Sequence, residues 1–178
     1  PVYTEMILGL PGETVVSWTQ GIDRVLDAGL KNQLFLYVCA ILPNTDLADP
    51  VYQRLHGVKS RRIELTEIHV SPRDDNWVKE VEEIVVETDS MSLADWRSML
   101  MFSWATMLFH GLKVGFFIMV FLRREFGIPF SEIISCLSGA DIDEAQYPLI
   151  SRLKNGFLKK IDSIMSGESG RASWRERV

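Results

Sequence analysis

"TEMILGLPGETVVSW", Thr4 to Trp18, is the stretch on which the fold turns: a short apolar run breaks into Gly-Leu-Pro-Gly and then into a helical pattern. From Val2 to Leu8 the residues are β-prone and almost continuously apolar, the pattern of a strand buried on both faces in a parallel sheet. The strand ends at Gly9. Thr14 stands where a helix N-cap belongs, and Val15, Trp18, Ile22, Val25 and Leu26 keep helical spacing. Gly29 occupies the position of a left-handed C-terminal cap. A second β-rich run, "NQLFLYVCAILPNT", Asn32 to Thr45, predicts a strand over Leu34 to Ala40, stopped by Pro43. Strand, helix and strand within this length make a right-handed parallel βαβ unit.

Parallel sheets bind ligands at the carboxyl ends of their strands. "GLPGET" (Gly9 to Thr14) and "AILPNT" (Ala40 to Thr45) are therefore expected to face one site, with glycines letting the backbone approach a ligand. Ordinary turn chemistry accounts for Gly-Pro-Gly equally well. It is not a phosphate loop, because the GxxxxGK[ST] spacing and its lysine are missing.

At 178 residues and 47% hydrophobic the chain has enough apolar material for one domain with a real core. A net charge of -5 argues against a nucleic-acid surface, and "KSRR", Lys59 to Arg62, reads as a solvated turn. Cys39 and Cys136 are the two cysteines, far apart in sequence and in apolar surroundings. They support neither a disulfide framework nor a CxxC metal site, and they suit a reducing cytoplasm. The chain opens on Pro1 and runs straight into a strand, which reads as an N-terminal truncation. At the other end "GRASWRERV", Gly170 to Val178, changes composition abruptly. It reads either as translated read-through or as a basic tail, so residues 167–178 are set apart.

Residues 69–90 are charged, with Pro72 and an Asp-Asp-Asn cluster, and read as a connector. Residues 91–166 read as a helical segment. Ser92 and Asp95 sit at capping-box spacing, and helices are predicted over Leu93 to Phe109, Lys113 to Phe126, Ser131 to Leu137 and Asp143 to Met165. Met99 to Leu122 is apolar enough to raise a membrane span. Lys113 near its centre would cost about 2.5 to 3.5 kcal/mol there, and Gly111 and Gly115 mark a turn, so buried core helices are the better reading.

Taken together, "YTEMILGLPGET", a helix ending "DAGL", and "LYVCAILPNTDLADPVY" resemble the late part of the radical S-adenosylmethionine (SAM) barrel. The likeness is nearest to the group whose longer members carry an N-terminal cobalamin-binding domain. It covers Tyr3 to about His56 well and the region after Glu83 more loosely. The resemblance implies an α/β fold. Residues 1–68 would be the C-terminal part of a partial parallel (β/α) barrel, its fifth and sixth strands, followed by the α-helical segment. It also implies SAM and a [4Fe-4S] cluster as cofactors of a parent enzyme, with cobalamin in this group, and a small-molecule substrate methylated or ring-modified at an unactivated carbon.

Residue by residue, Ile7 and Gly9 match the I and central G of the family's GxIxGxxE-type motif, whose closing Glu is displaced to Glu13. Glu5 stands where relatives place an acidic or small residue near the SAM ribose, and Ala40 and Ile41 where the sixth strand's backbone meets the adenine. The family's CxxxCxxC cluster loop is not in the sequence, and two cysteines cannot supply three thiolates. The chain alone is thus expected to bind no cluster and to be inactive, with the missing N-terminal barrel half as its packing partner. The contrasting reading is a non-catalytic α/β module that binds a partner protein or a membrane surface.

Several residues carry two readings. Glu5 is a SAM ligand or a rim carboxylate paired with a cation. His110 is a packed residue beside a glycine turn, or faces a substrate or the lower side of cobalamin. Cys39 is a core thiol or touches SAM, Asp46 and Asp49 are turn formers at the strand end or touch substrate at the barrel mouth, and His56 with Gly57 closes a short helix.

Overall fold

The computed structural model describes residues 3–64, 80–139 and 143–166. The tail 167–178, residues 65–68 at the end of the first expected unit and residues 69–79 of the expected connector lie outside them. The first elements are β1 (Thr4–Leu8), α1 (Val15–Asp27) and β2 (Leu34–Val38), with β1 and β2 parallel and in register from Thr4 opposite Leu34 to Leu8 opposite Val38. The order strand, helix, strand and the parallel pairing are as the sequence predicts. Thr14 caps α1 through its side chain, in a capping box completed by Ser17, and Gly29 adopts φ +85° just past the helix end. Trp18, Ile22 and Leu26 are the buried stripe of α1, one turn apart.

Two expectations fail in detail. Lys59–Glu64 forms a strand, β3, where "KSRR" reads as a turn, and Val81–Glu87 forms β4 inside the charged stretch taken for a connector. The two pair antiparallel. Ile84, Val85 and Val86, all buried, supply the apolar β-branched run that charge on either side conceals, and the Lys59–Glu87 pair lies across the ladder at 3.2 Å. Between β2 and β3 a short helix, α2 (Pro50–Leu55), starts with Asp49 accepting from the Val51 amide at 2.7 Å. It ends at His56 and Gly57, the latter with φ +60°.

The helical segment comprises α3 (Leu93–Thr106), a π-helical turn (Met107–Gly111), α4 (Phe116–Phe126), α5 (Phe130–Ser138) and α6 (Pro148–Ser166). The chain is thus an α/β unit continued by helices. The apolar composition of α3 follows from its place: Trp96, Met99, Met101, Phe102 and Ala105 are all buried, so it packs on several faces at once. Among the described residues no single helix is long and apolar enough to cross a membrane, and α3 with its π turn meets α4 at a 96° bend.

One core joins the two parts. Leu8, Leu34, Trp18, Ile84, Trp96 and Ile134 belong to a single buried cluster. Polar contacts fix the docking of α1 onto the helices. The Trp18 indole donates to Ser103 Oγ at 3.0 Å, and Asp23 accepts from the amide and hydroxyl of Ser131, serving the first turn of α5. Asp27 takes a two-pronged bond from Arg123, at 2.8 and 2.9 Å.

Candidate functional site

The β1–β2 pair has two unlike faces. Leu8 and Leu34 turn toward α1 and are buried, and Met6 reaches Gly21 of that helix. The opposite, front face carries Tyr3, Glu5 and Ile7 on β1 beside Phe35 and Tyr37 on β2. Sequence reading buried both faces of β1. The structure buries one: Tyr3 is 62% and Ile7 47% exposed. Phe35 meets the Tyr3 ring edge-on at 5.9 Å and stacks on Tyr37 at 6.1 Å, an aromatic row that the period of two in "LFLYV" makes legible.

At the carboxyl ends the strands part. The Cys39 amide donates to Leu8 O at 2.8 Å, after which β2 continues against β4 instead: the Ile41 amide donates to Glu83 O at 2.7 Å and the Val85 amide to Cys39 O at 2.9 Å. Ala40 stands opposite Ile84 between those two bonds, so its own amide and carbonyl face away from β4. Gly9 takes φ +103°, with Val85 O and Cys39 Cβ at 3.5 and 3.6 Å from the position a Cβ would occupy. Gly12, at φ +90°, needs the left-handed region too. The two glycines let β1 end in a tight bend beside the end of β2.

Of the sequence-predicted residues, then, Gly9, Ala40 and Ile41 come together around Cys39, with Ile7 two residues below. The Ile41 amide is committed to Glu83 O. Glu5 lies on the exposed front face, its carboxylate making no hydrogen bond or ion pair with another described residue. It is four residues before Gly9, about 13 Å along the strand. Glu13 serves the start of α1 by accepting from the Ser17 hydroxyl.

A concavity of about 690 Å³ opens on the lower front face, lined by Tyr3, Glu5, Lys31, Phe35, Tyr37 and Lys113. Lys113 (φ +64°) donates to Lys31 O at 2.5 Å and lies 4.3 Å over the Phe116 ring; burial holds its pKa below the usual lysine range. His110, in the π turn, is buried with Nε2 2.8 Å from Leu30 O, so it is a packed residue under β2. Its pKa is pushed down by burial, against the pull of the Leu30 bond. Among the described residues no group of three His, Cys, Asp or Glu side chains is placed to hold a metal ion. Cys39 is a buried thiol whose pKa burial raises, and Cys136 is exposed.

No family model matches the chain. Over 129 residues, 72% of its length, it is 33% identical to the cobalamin-dependent radical SAM methyltransferase TokK of Streptomyces tokunonensis. Over the same length it is 29% identical to the 2-(S-pantetheinyl)-carbapenam-3-carboxylate methyltransferase of Streptantibioticus cattleyicolor. The match spans 19% of the length of each relative.

Proposed function

The chain is a relative of the cobalamin-dependent radical SAM methyltransferases, and from that kinship we propose that it forms the late part of the barrel, with the helices behind it, of such a methyltransferase. In this reading β1 and β2 are the fifth and sixth barrel strands, the front face looks into the lumen, and the strand ends form one wall of the SAM site. The observation that carries it is the parallel β1–β2 pair ending at a left-handed Gly9 beside Cys39 to Ile41, in a sequence 33% identical to a radical SAM methyltransferase.

The residues present fit one side of SAM and do not fit the cluster. Ile7 offers an apolar surface, Gly9 an approach without a side chain, and Ala40, beside Ile41, an amide and carbonyl turned away from β4 for an adenine. Glu5 supplies a carboxylate for a hydroxyl. Three cluster thiolates cannot come from two cysteines, so their source is another segment. SAM bound beside a reduced cluster supplies methyl-transfer and radical chemistry; this chain's part is to hold the nucleoside end and to keep water from it. A cytoplasmic setting, a small-molecule substrate and an obligatory N-terminal barrel half belong to the same reading.

The test is SAM affinity in the whole enzyme with its cluster reconstituted, wild type against Glu5→Gln. A lost charge-assisted bond of about 1.5 to 3 kcal/mol weakens binding by roughly ten- to a hundredfold. Equal affinity with a lower melting temperature would take Glu5 out of the binding set and make it a wall residue.

A further inference from the structure

We propose that Ser90 is a positioning residue for this site: from the turn after β4 it holds the loop after β1 in the shape that a ligand at the strand ends meets. The inference rests on the SAM reading for its function, but the geometry stands apart from it. Residues 88–91 close a tight turn, with the Thr88 amide donating to Met91 O at 2.9 Å and the Met91 amide to Thr88 O at 3.2 Å. From that turn Ser90 Oγ accepts the Gly12 amide at 3.0 Å, across 78 residues of chain, and lies 3.1 Å from Thr88 Oγ1, which fixes the hydroxyl. The Met91 methyl lies 3.7 Å from the place of a Gly9 Cβ, and the Asp89 amide donates to His56 O at 2.9 Å, at the end of α2. One turn therefore grips both chain segments that follow the parallel strands.

The loop needs such a grip. Gly9 and Gly12 both sit at positive φ, and glycine loses more conformational freedom on ordering than any other residue. Within residues 9–13 the short-range bond from the Glu13 amide to Leu10 O, at 3.0 Å, closes a turn but does not orient it on the sheet. The Ser90 hydroxyl does. Serine suits the task because it accepts from the Gly12 amide while Thr88 shares its proton. Alanine cannot, and threonine keeps the hydroxyl.

The experiment compares wild type, Ser90→Ala and Ser90→Thr in the whole enzyme by amide hydrogen exchange of the peptide covering residues 9–13, without SAM, and by SAM affinity. Ser90→Ala is expected to speed exchange in that peptide several-fold and to weaken SAM binding about three- to tenfold, with both recovered in Ser90→Thr. Unchanged exchange in Ser90→Ala overturns the positioning role whatever the affinity. Faster exchange with unchanged affinity in an enzyme that binds SAM overturns it as a role in binding. If wild type binds no SAM, the reading of the site is what fails, and the exchange comparison alone decides whether Ser90 positions the loop.

Discussion

His110 makes the stability of the chain depend on pH in a direction the structure fixes. Its ring is 2% exposed, Nε2 lies 2.8 Å from Leu30 O, and Nδ1 is buried without a partner among the described residues. Leu30 O is an acceptor only, so Nε2 carries the proton and Nδ1 presents a bare lone pair. Protonating Nδ1 would bury a cation near Lys113, which also opposes it. The folded-state pKa is therefore below the unfolded value of about 6.5. Stability from this group is complete above about pH 6.5 and is drawn down as the pH falls below it, by up to about 1.4 kcal/mol per unit until the folded pKa is reached. The loss grows as the pH falls from about 6.5 toward the folded-state pKa and levels off below it, and each kcal/mol lost lowers the melting temperature by about 2 to 4 °C for a chain of this size. The assay is thermal unfolding from pH 5 to 8 for wild type and His110→Gln. Glutamine keeps a donor for Leu30 O and does not titrate, and the other ionisable groups are common to both proteins. The difference between the curves should be flat above pH 7 and should close or reverse toward pH 5. Curves that stay parallel throughout would refute the argument.

Two further substitutions test the packing. Gly57→Ala drives a Cβ into the Asp89 carboxylate in a backbone at φ +60°, so it should cost about 1 to 2 kcal/mol of backbone strain plus the clash. Adding Asp89→Ala should recover the clash part alone, as read by urea melts. Trp18→Phe removes the indole bond to Ser103 and part of a fully buried ring, and should lower stability by about 1 to 3 kcal/mol; a loss under about 0.5 kcal/mol would mean the contact contributes little.

The parts of the fold legible in the sequence are those that local rules determine. Thr14, Gly29, Ser92 and Asp95 announce helix ends by side-chain chemistry that needs no distant partner, and each stands where it was expected. β3 was hidden because Lys59, Arg61 and Arg62 read as solvent, and they are exposed; what makes the segment a strand is β4, more than twenty residues on. β4 was hidden in turn by four glutamates around three apolar residues. The candidate site divides the same way. Gly9 and the end of β2 were readable because parallel strands put their following loops together. The Gly12–Ser90 bond was not, because a serine in a turn carries no mark of an amide 78 residues away. The register also separates Glu5 from Ala40: the sequence points both at one ligand, and they stand at different levels of the sheet.

The two faces of that sheet bear on what Glu5 does. Leu8 and Leu34 are each 1% exposed on the side of α1, while Tyr3, Ile7 and Tyr37 are about half exposed or more on the other. β1 has β2 as its one strand partner among the described residues, leaving its outer edge open. Two parallel strands open on one face and one edge are the arrangement a closed barrel completes, since parallel sheets are covered on both faces. Closing a barrel over this front face would bury Glu5 between aromatic and aliphatic neighbours. A carboxylate taken out of water there costs several kcal/mol unless a cation or hydrogen-bond donors meet it. The front-face neighbours on the strands, Tyr3, Ile7, Phe35 and Tyr37, include no cation, and Lys113 is already engaged with Lys31 O and the Phe116 ring. In such a barrel the partner of Glu5 would be Lys31, which lines the same concavity, a group on the facing wall, or the ligand. That is why Glu5→Gln, which keeps shape and removes charge, separates a protein partner from the ligand: a cation of the protein would be left unpaired and would lower stability, whereas donors on a ligand would lower affinity alone.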